Sequence, residues 1–178
     1  MLFSIELLFD DETAEGLRRC WRSLATVAES DYMLSHGVYP HVSLSVFEAD
    51  DPSMAEEAFA GCAGKIVSFQ LEARGVGSFS EEREVVFIGF SLSERLFSAH
   101  EVCAQSLSKL GIVPFPYYRK DAWKPHCTLA MNFPSSRQKE VQAAASACEL
   151  HLPYRVSDLA LVAFPPTRLL AQERIADR

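Results

Sequence analysis

Two stretches of the chain share one pattern: Pro40-His41-Val42-Ser43-Leu44 and Pro125-His126-Cys127-Thr128-Leu129. Each reads proline, histidine, any residue, hydroxyl, leucine. With 5 His among 178 residues, composition predicts one such copy on the order of 0.004 times per chain. Two copies mark a duplicated device. Imidazole titrates near neutrality, so a pair of histidines can divide general acid and general base work. Two hydroxyls can donate to the nonbridging oxygens of a phosphate and stabilise charge that develops there. In-line displacement at phosphorus needs acid and base on opposite sides, and a two-fold arrangement supplies that.

These side chains must share a face to act together. Side chains alternate across a strand. On a strand, His41 and Ser43 point to one side, with Val42 and Leu44 behind them. His126 and Thr128 do the same, with Cys127 and Leu129 behind. Convergence of the two pairs then requires the strands to flank one cleft.

The elements around them repeat. Residues 2–9 are apolar with one charged interruption, Glu6, and read as a strand. Leu17, Trp21, Leu24 and Ala28 recur at helical spacing, and 41–47 reads as a strand. The same order returns as a strand over 84–90, a helix over 93–110 and a strand over 126–132. Each motif therefore ends a strand-helix-strand unit. Between and after the units, the pattern predicts a helix over 52–60 and a strand over 66–73. It also predicts a turn or bulge at Gly75-Val76-Gly77, a helix over 134–148 and a last strand over 152–164. The predicted fold class is α+β and bilobal, with two pseudo-two-fold-related lobes of antiparallel sheet and outer helices around a central cleft. No low-complexity linker divides the chain, so residues 1–178 read as a single domain.

Composition narrows the partners. A net charge of −7 argues against long double-stranded nucleic acid, which demands a basic footprint. It leaves room for a small nucleotide or an RNA terminus. The first residues are interrupted by Glu6, Asp10 and Asp11 and read as a strand rather than a leader. No apolar run reaches membrane-spanning length. The 5 Cys show no metal-ligand spacing and read as reduced, mostly buried thiols of a cytoplasmic protein. The expected chain is a monomer with no metal and no cofactor.

With both motifs in view, the chain resembles the 2H phosphoesterases, which include the 2′-5′ RNA ligase-like proteins and cyclic nucleotide phosphodiesterases. The family is named for two His-x-Ser/Thr-x copies, here His41-Val42-Ser43-Leu44 and His126-Cys127-Thr128-Leu129. Trp123-Lys124-Pro125-His126-Cys127-Thr128-Leu129-Ala130 is similar to its second-motif segment. Gly75-Val76-Gly77-Ser78-Phe79 with Val85-Val86-Phe87-Ile88 is similar to its central region. The resemblance implies cleavage or ligation at a 2′,3′-cyclic or 2′-5′ phosphodiester. His41 and His126 would be the catalytic pair, and Ser43 and Thr128 the phosphate donors. A nucleotide-binding module without chemistry is the alternative. A metal held between the two histidines is weakly supported, because no carboxylate motif lies near them in sequence.

Other residues carry smaller expectations. The loop over 114–125 gathers Tyr117, Tyr118, Arg119, Lys120 and Lys124, a cluster suited to gripping phosphate and stacking a base. Tyr118, Arg119, Lys124 and Phe79 are therefore candidate substrate contacts. Arg83 reads as a hairpin-turn charge, His36 as a surface loop residue, His100 as core and His151 as a strand flank. Cys127 turns away from the cleft.

Overall fold

The computed structural model describes residues 1–79 and 84–176. In chain order the elements are β1 (Leu2–Phe9), α1 (Asp11–Ala28), α2 (Tyr32–Ser35), β2 (His41–Glu48), α3 (Pro52–Ala60), β3 (Phe69–Gln70) and β4 (Ala73–Phe79). They continue with β5 (Val85–Phe90), α4 (Glu94–Lys109), β6 (His126–Met131), α5 (Gln138–Ala147), β7 (Arg155–Phe164) and β8 (Arg168–Arg174). Single 3-10 turns lie at Pro116–Tyr118 and Ser135–Arg137.

Local sequence explains the helices. Asp10 accepts from the Thr13 N–H at the start of α1, and Asp11 and Glu12 occupy its first turn, where negative charge suits the helix dipole. Ser93 caps α4 in the same way through the Leu96 N–H. Each helix then buries one stripe: Leu17, Trp21, Leu24 and Ala28 on α1, and Leu96, His100, Cys103 and Leu107 on α4. Burial of such stripes, at roughly 25 cal/mol per Å² of apolar surface, is what holds helices of this length against the sheets.

Two antiparallel sheets result. One runs β2-β1-β7-β3, with β8 also paired to β7, and the other runs β4-β5-β6. The two strand-helix-strand units are both present, and within each the strands pair directly: β1 with β2 and β5 with β6. The relation between the lobes is an exchange. After α3 the short β3 pairs β7 and β4 joins β5, while β7, the strand following α5, joins β1. Helices cross as well. α1 and α5 pack on the three-stranded sheet, and α3 and α4 pack on the larger one. One buried cluster consequently runs through both sheets, from Phe3, Ile5 and Leu44 to Val86, Ile88 and Leu129.

The thiols follow the same pseudo-symmetry. Cys20 on α1 meets Cys148 at the end of α5, Sγ to Sγ 2.8 Å. Cys103 on α4 meets Cys62 just past α3. All five cysteines are free, and Cys148 is the one that is not buried.

Several boundaries differ from expectation. The strand expected over 66–73 shrinks to Phe69–Gln70, and of the two readings of the glycine segment, turn or bulge, the bulge holds, inside β4. Gly75 sits at φ +111 beside a register shift, so it carries a bulge rather than ending the strand. The final strand starts at Arg155, and the tail forms β8 on the β7 edge. Arg83 lies outside the described residues. Among the described residues no helix is long and apolar enough to cross a membrane.

Candidate active site

β2 and β6 are the facing edge strands of the two sheets and pack against each other. Both show the same burial rhythm. His41 and Ser43 are half-buried while Val42, Leu44 and Ser45 are buried; His126 and Thr128 are half-buried while Cys127, Leu129 and Ala130 are buried. The doubled burial reflects a bulge at the same place in each strand. Ile5 pairs Ser45 but Glu6 pairs Ser43, skipping Leu44. Val86 pairs Ala130 but Phe87 pairs Thr128, skipping Leu129. A bulge places two successive side chains toward one side and re-aims the strand beyond it. The motif leucines are the skipped residues, and both sink into the core at 0% and 1% exposure.

The prolines also acquire a role. His41 Nδ1 lies 2.6 Å from the Tyr39 carbonyl, and His126 Nδ1 lies 2.7 Å from the Lys124 carbonyl. Each contact reaches back two residues, across Pro40 or Pro125, whose fixed φ shapes the bend. A carbonyl only accepts, so Nδ1 carries the hydrogen and Nε2 is the nitrogen left for chemistry. The strands are held from behind by indoles. Trp123 Nε1–H donates to the Ser43 carbonyl and Trp21 Nε1–H to the Thr128 carbonyl, both at 3.0 Å. Edge-strand carbonyls at the bulges would otherwise be unpaired, at about 1–3 kcal/mol each.

The surroundings of the two imidazoles differ. Glu6 Oε1 lies 3.6 Å from His41 Nε2. Burial pushes the Glu6 carboxyl above its usual range, opposed by the His41 charge and the Ser4 hydroxyl. Phe79 stacks on Phe87 at 4.3 Å, and both rings flank His126, at 5.1 and 5.0 Å. Burial lowers the His126 pKa, the Lys124 carbonyl opposes that, and the His41 charge lowers it further. The two imidazoles are near enough for the His41 charge to bear on His126.

The expected contacts sort as follows. Tyr118 comes to the Ser43 hydroxyl; burial raises its phenol pKa and Glu6 adds to that. Lys124 is exposed with Nζ 5.9 Å from the centre of the Phe79 ring. Arg119 contributes its backbone, its carbonyl accepting from Ala122 and Trp123. Its exposed side chain makes no hydrogen bond or ion pair among the described residues. Lys120 departs from the expected cluster: it pairs with Glu101 and covers Phe97 on the outer side of α4. His100 is core, as its helical phase predicts. It stacks on Trp123 at 4.1 Å and contacts the Tyr118 carbonyl at 2.9 Å. His36 stacks on Tyr32 outside the pair. Cys127 is buried, as alternation requires, with its thiol raised to about 12 by burial.

Sequence reasoning missed Glu6, Phe87 and the two tryptophans. Glu6 left a visible signal, a charge within an otherwise apolar strand. Among the described residues no group of three or more His, Cys, Asp or Glu could hold a metal ion.

Gly77 gives a direct check on this packing. A Cβ there would lie 2.7 Å from Phe87 Cζ, and Phe87 is braced by Phe79 and His126. Gly77→Ala is expected to destabilise by about 1–3 kcal/mol through overpacking. Thermal melts should show Tm lower by roughly 2–10 °C; an unchanged Tm would mean the ring moves freely.

Comparison with known proteins places this geometry. No curated protein sequence is significantly similar to the chain. Solved structures share its fold at low identity. TT0787 of Thermus thermophilus is 16% identical, covering 99% of both chains with a TM-score of 0.63. E. coli LigT complexed with 3′-AMP is 13% identical, covering 97% of this chain and 96% of that one at 0.57. Kluyveromyces marxianus Usb1 with uridine monophosphate is 15% identical, covering 98% and 97% at 0.55. The sequence profile of the 2′-5′ RNA ligase superfamily matches residues 9–165, a span that contains both motifs and most of both sheets, and the chain belongs to that superfamily.

Proposed function

We propose that the chain is a metal-independent phosphodiesterase. It hydrolyses a 2′,3′-cyclic phosphate or a 2′-5′ phosphodiester at a nucleotide or RNA end. The observation that carries this reading is the duplicated geometry: two Nδ1-anchored imidazoles and two in-phase hydroxyls on edge strands that pack against each other. One imidazole takes a proton from water as its oxygen attacks phosphorus, and the other protonates the departing ribose oxygen. Ser43 and Thr128 donate to the nonbridging oxygens. Phe79, Tyr118, Arg119 and Lys124 are the proposed substrate contacts. Phe79 and Tyr118 offer faces for a base, Lys124 offers a cation beside His126, and Arg119 supplies a second cation from the same loop. The complexes of LigT with 3′-AMP and of Usb1 with uridine monophosphate support a nucleotide-sized ligand.

The test is a panel of 2′,3′-cyclic nucleotides and 2′-5′-linked dinucleotides followed by phosphorus NMR, with chelator present throughout. The expected result is hydrolysis with the ring opened at one fixed oxygen, because a rigid acid faces only one leaving group. Binding by calorimetry without product over hours would overturn hydrolysis in favour of a binding module. Loss of turnover on chelation would overturn metal independence.

A further inference from the structure

The thiols are duplicated as the histidines are, and solvent reaches one pair of them. Cys20 and Cys103 each stand ten residues past their helix N-caps, Asp10 and Ser93. Their partners stand at helix ends. Cys148 is the C-cap of α5, and Cys62 follows Gly61, the C-cap of α3. Each pair therefore joins the two helices that cover one sheet. Burial separates them. Cys62 and Cys103 are both 0% exposed. Cys20 is buried too, but its partner Cys148 is only half-buried.

We propose that Cys20 and Cys148 form a reversible oxidation site, at which a peroxide closes a disulfide that staples α1 to α5. The inference stands apart from the phosphodiesterase reading. The two sulfurs lie 2.8 Å apart. A disulfide needs about 2.05 Å, so the bond closes with little movement of either helix. Ser23 Oγ donates to the Cys20 carbonyl and lies 3.6 Å from Cys148 Sγ, so one hydroxyl borders both residues. Burial, and then the Cys148 thiol beside it, holds the Cys20 thiol above its ordinary range. Cys148 is thus the thiol that meets the oxidant, since access and thiolate character govern reactivity.

The chemistry balances with hydrogen peroxide as oxidant. The Cys148 thiolate attacks one peroxide oxygen, the O–O bond breaks and hydroxide leaves, giving a sulfenic acid on Cys148. Cys20 Sγ gives up its proton and attacks the Cys148 sulfur. The S–O bond breaks, and the departing hydroxide takes that proton as water. Two thiols lose two hydrogens and two electrons, and peroxide becomes two waters. A dithiol reverses the step by exchange. The bond joins residues 128 positions apart, which restrains the unfolded chain. It also braces the helix that carries Trp21, whose indole holds the Thr128 carbonyl.

The test treats the whole chain with hydrogen peroxide, alkylates it in denaturant and maps its peptides without reduction. Two of the five thiols should escape alkylation, and one crosslinked peptide should contain Cys20 and Cys148. Tm should rise by roughly 5–15 °C and return on addition of dithiothreitol. Cys148→Ser should keep all its remaining thiols, and Cys20→Ser should stop at a sulfenic acid on Cys148 that dimedone traps. Retention of all five thiols, or a crosslink at Cys62–Cys103 or between two chains, would overturn the site. A Cys20–Cys148 bond that left Tm unchanged would overturn the staple. The wild-type peptide map decides the site even if a variant fails to fold.

Discussion

Replacing His126 by alanine lowers kcat for a 2′,3′-cyclic nucleotide by about 10³-fold, and replacing His41 has a comparable effect, within the 10²–10⁴ range that one acid or base contributes. Neither change should unfold the protein. Both rings are half-buried, and the strand registers rest on backbone pairing and on the leucines behind. Circular dichroism and melting curves of the variants should stay near wild type while steady-state rates collapse. The double variant should lose little more than either single one, because acid and base act in one transition state. The pH profile adds a signed expectation. A base works when neutral, and burial together with the His41 charge lowers the His126 pKa. The acid limb of kcat/KM should therefore fall below the ordinary imidazole value of about 6.5. Near-wild-type rates in both single variants would remove the two-histidine mechanism altogether.

What sequence could and could not show follows the range of the interactions involved. Period-two alternation is local, so the facing of His41 with Ser43 and of His126 with Thr128 was legible, as was the burial of Cys127. Helical stripes and capping aspartate or serine are local too, and α1 and α4 lie where spacing places them. The repeated strand-helix-strand order pointed to the bilobal α+β class, and the resemblance carried by the duplicated motif supplied the family. The bulges were not legible, because they exist only in the pairing of β2 with β1 and of β6 with β5. Glu6 is visible as a stray charge, yet its meaning depends on His41, far along the chain. The same holds for Trp21 and Thr128. It holds also for the loop over 114–125, which runs along the β2 edge through Phe115 N–H to the Val46 carbonyl. The glycines of β4 left turn and bulge both open; Gly75 carries the bulge, and Gly77 makes room for the Phe87 ring. The exchange of β4 and β7 between lobes leaves no local trace at all, since each strand looks alike whichever sheet receives it.

Ser43→Ala and Thr128→Val should each reduce kcat by about 10²-fold, with KM changed far less. Removal of one preorganised donor from a developing oxyanion typically costs 10²–10³ in rate, and the lower end applies where two donors share the charge. The surroundings favour donation. Ser4 Oγ lies 3.4 Å from Ser43 Oγ and Tyr118 comes to the same hydroxyl, so the Ser43 oxygen is held in place on two sides. Thr128 sits on the half-buried face opposite Phe87, where low polarity strengthens each hydrogen bond. Thr128→Ser keeps the hydroxyl and should keep most of the rate, whereas Thr128→Val keeps the shape and should not. That contrast separates donation from packing, because a packing role would reverse the order of the two variants. Ser4→Ala should cost only a few-fold, since it removes the orientation of a donor and not the donor itself. A loss that fell on KM alone would instead assign the hydroxyls to ground-state binding. The pair would then grip the phosphate equally before and during reaction, and the histidines would carry the catalysis unaided.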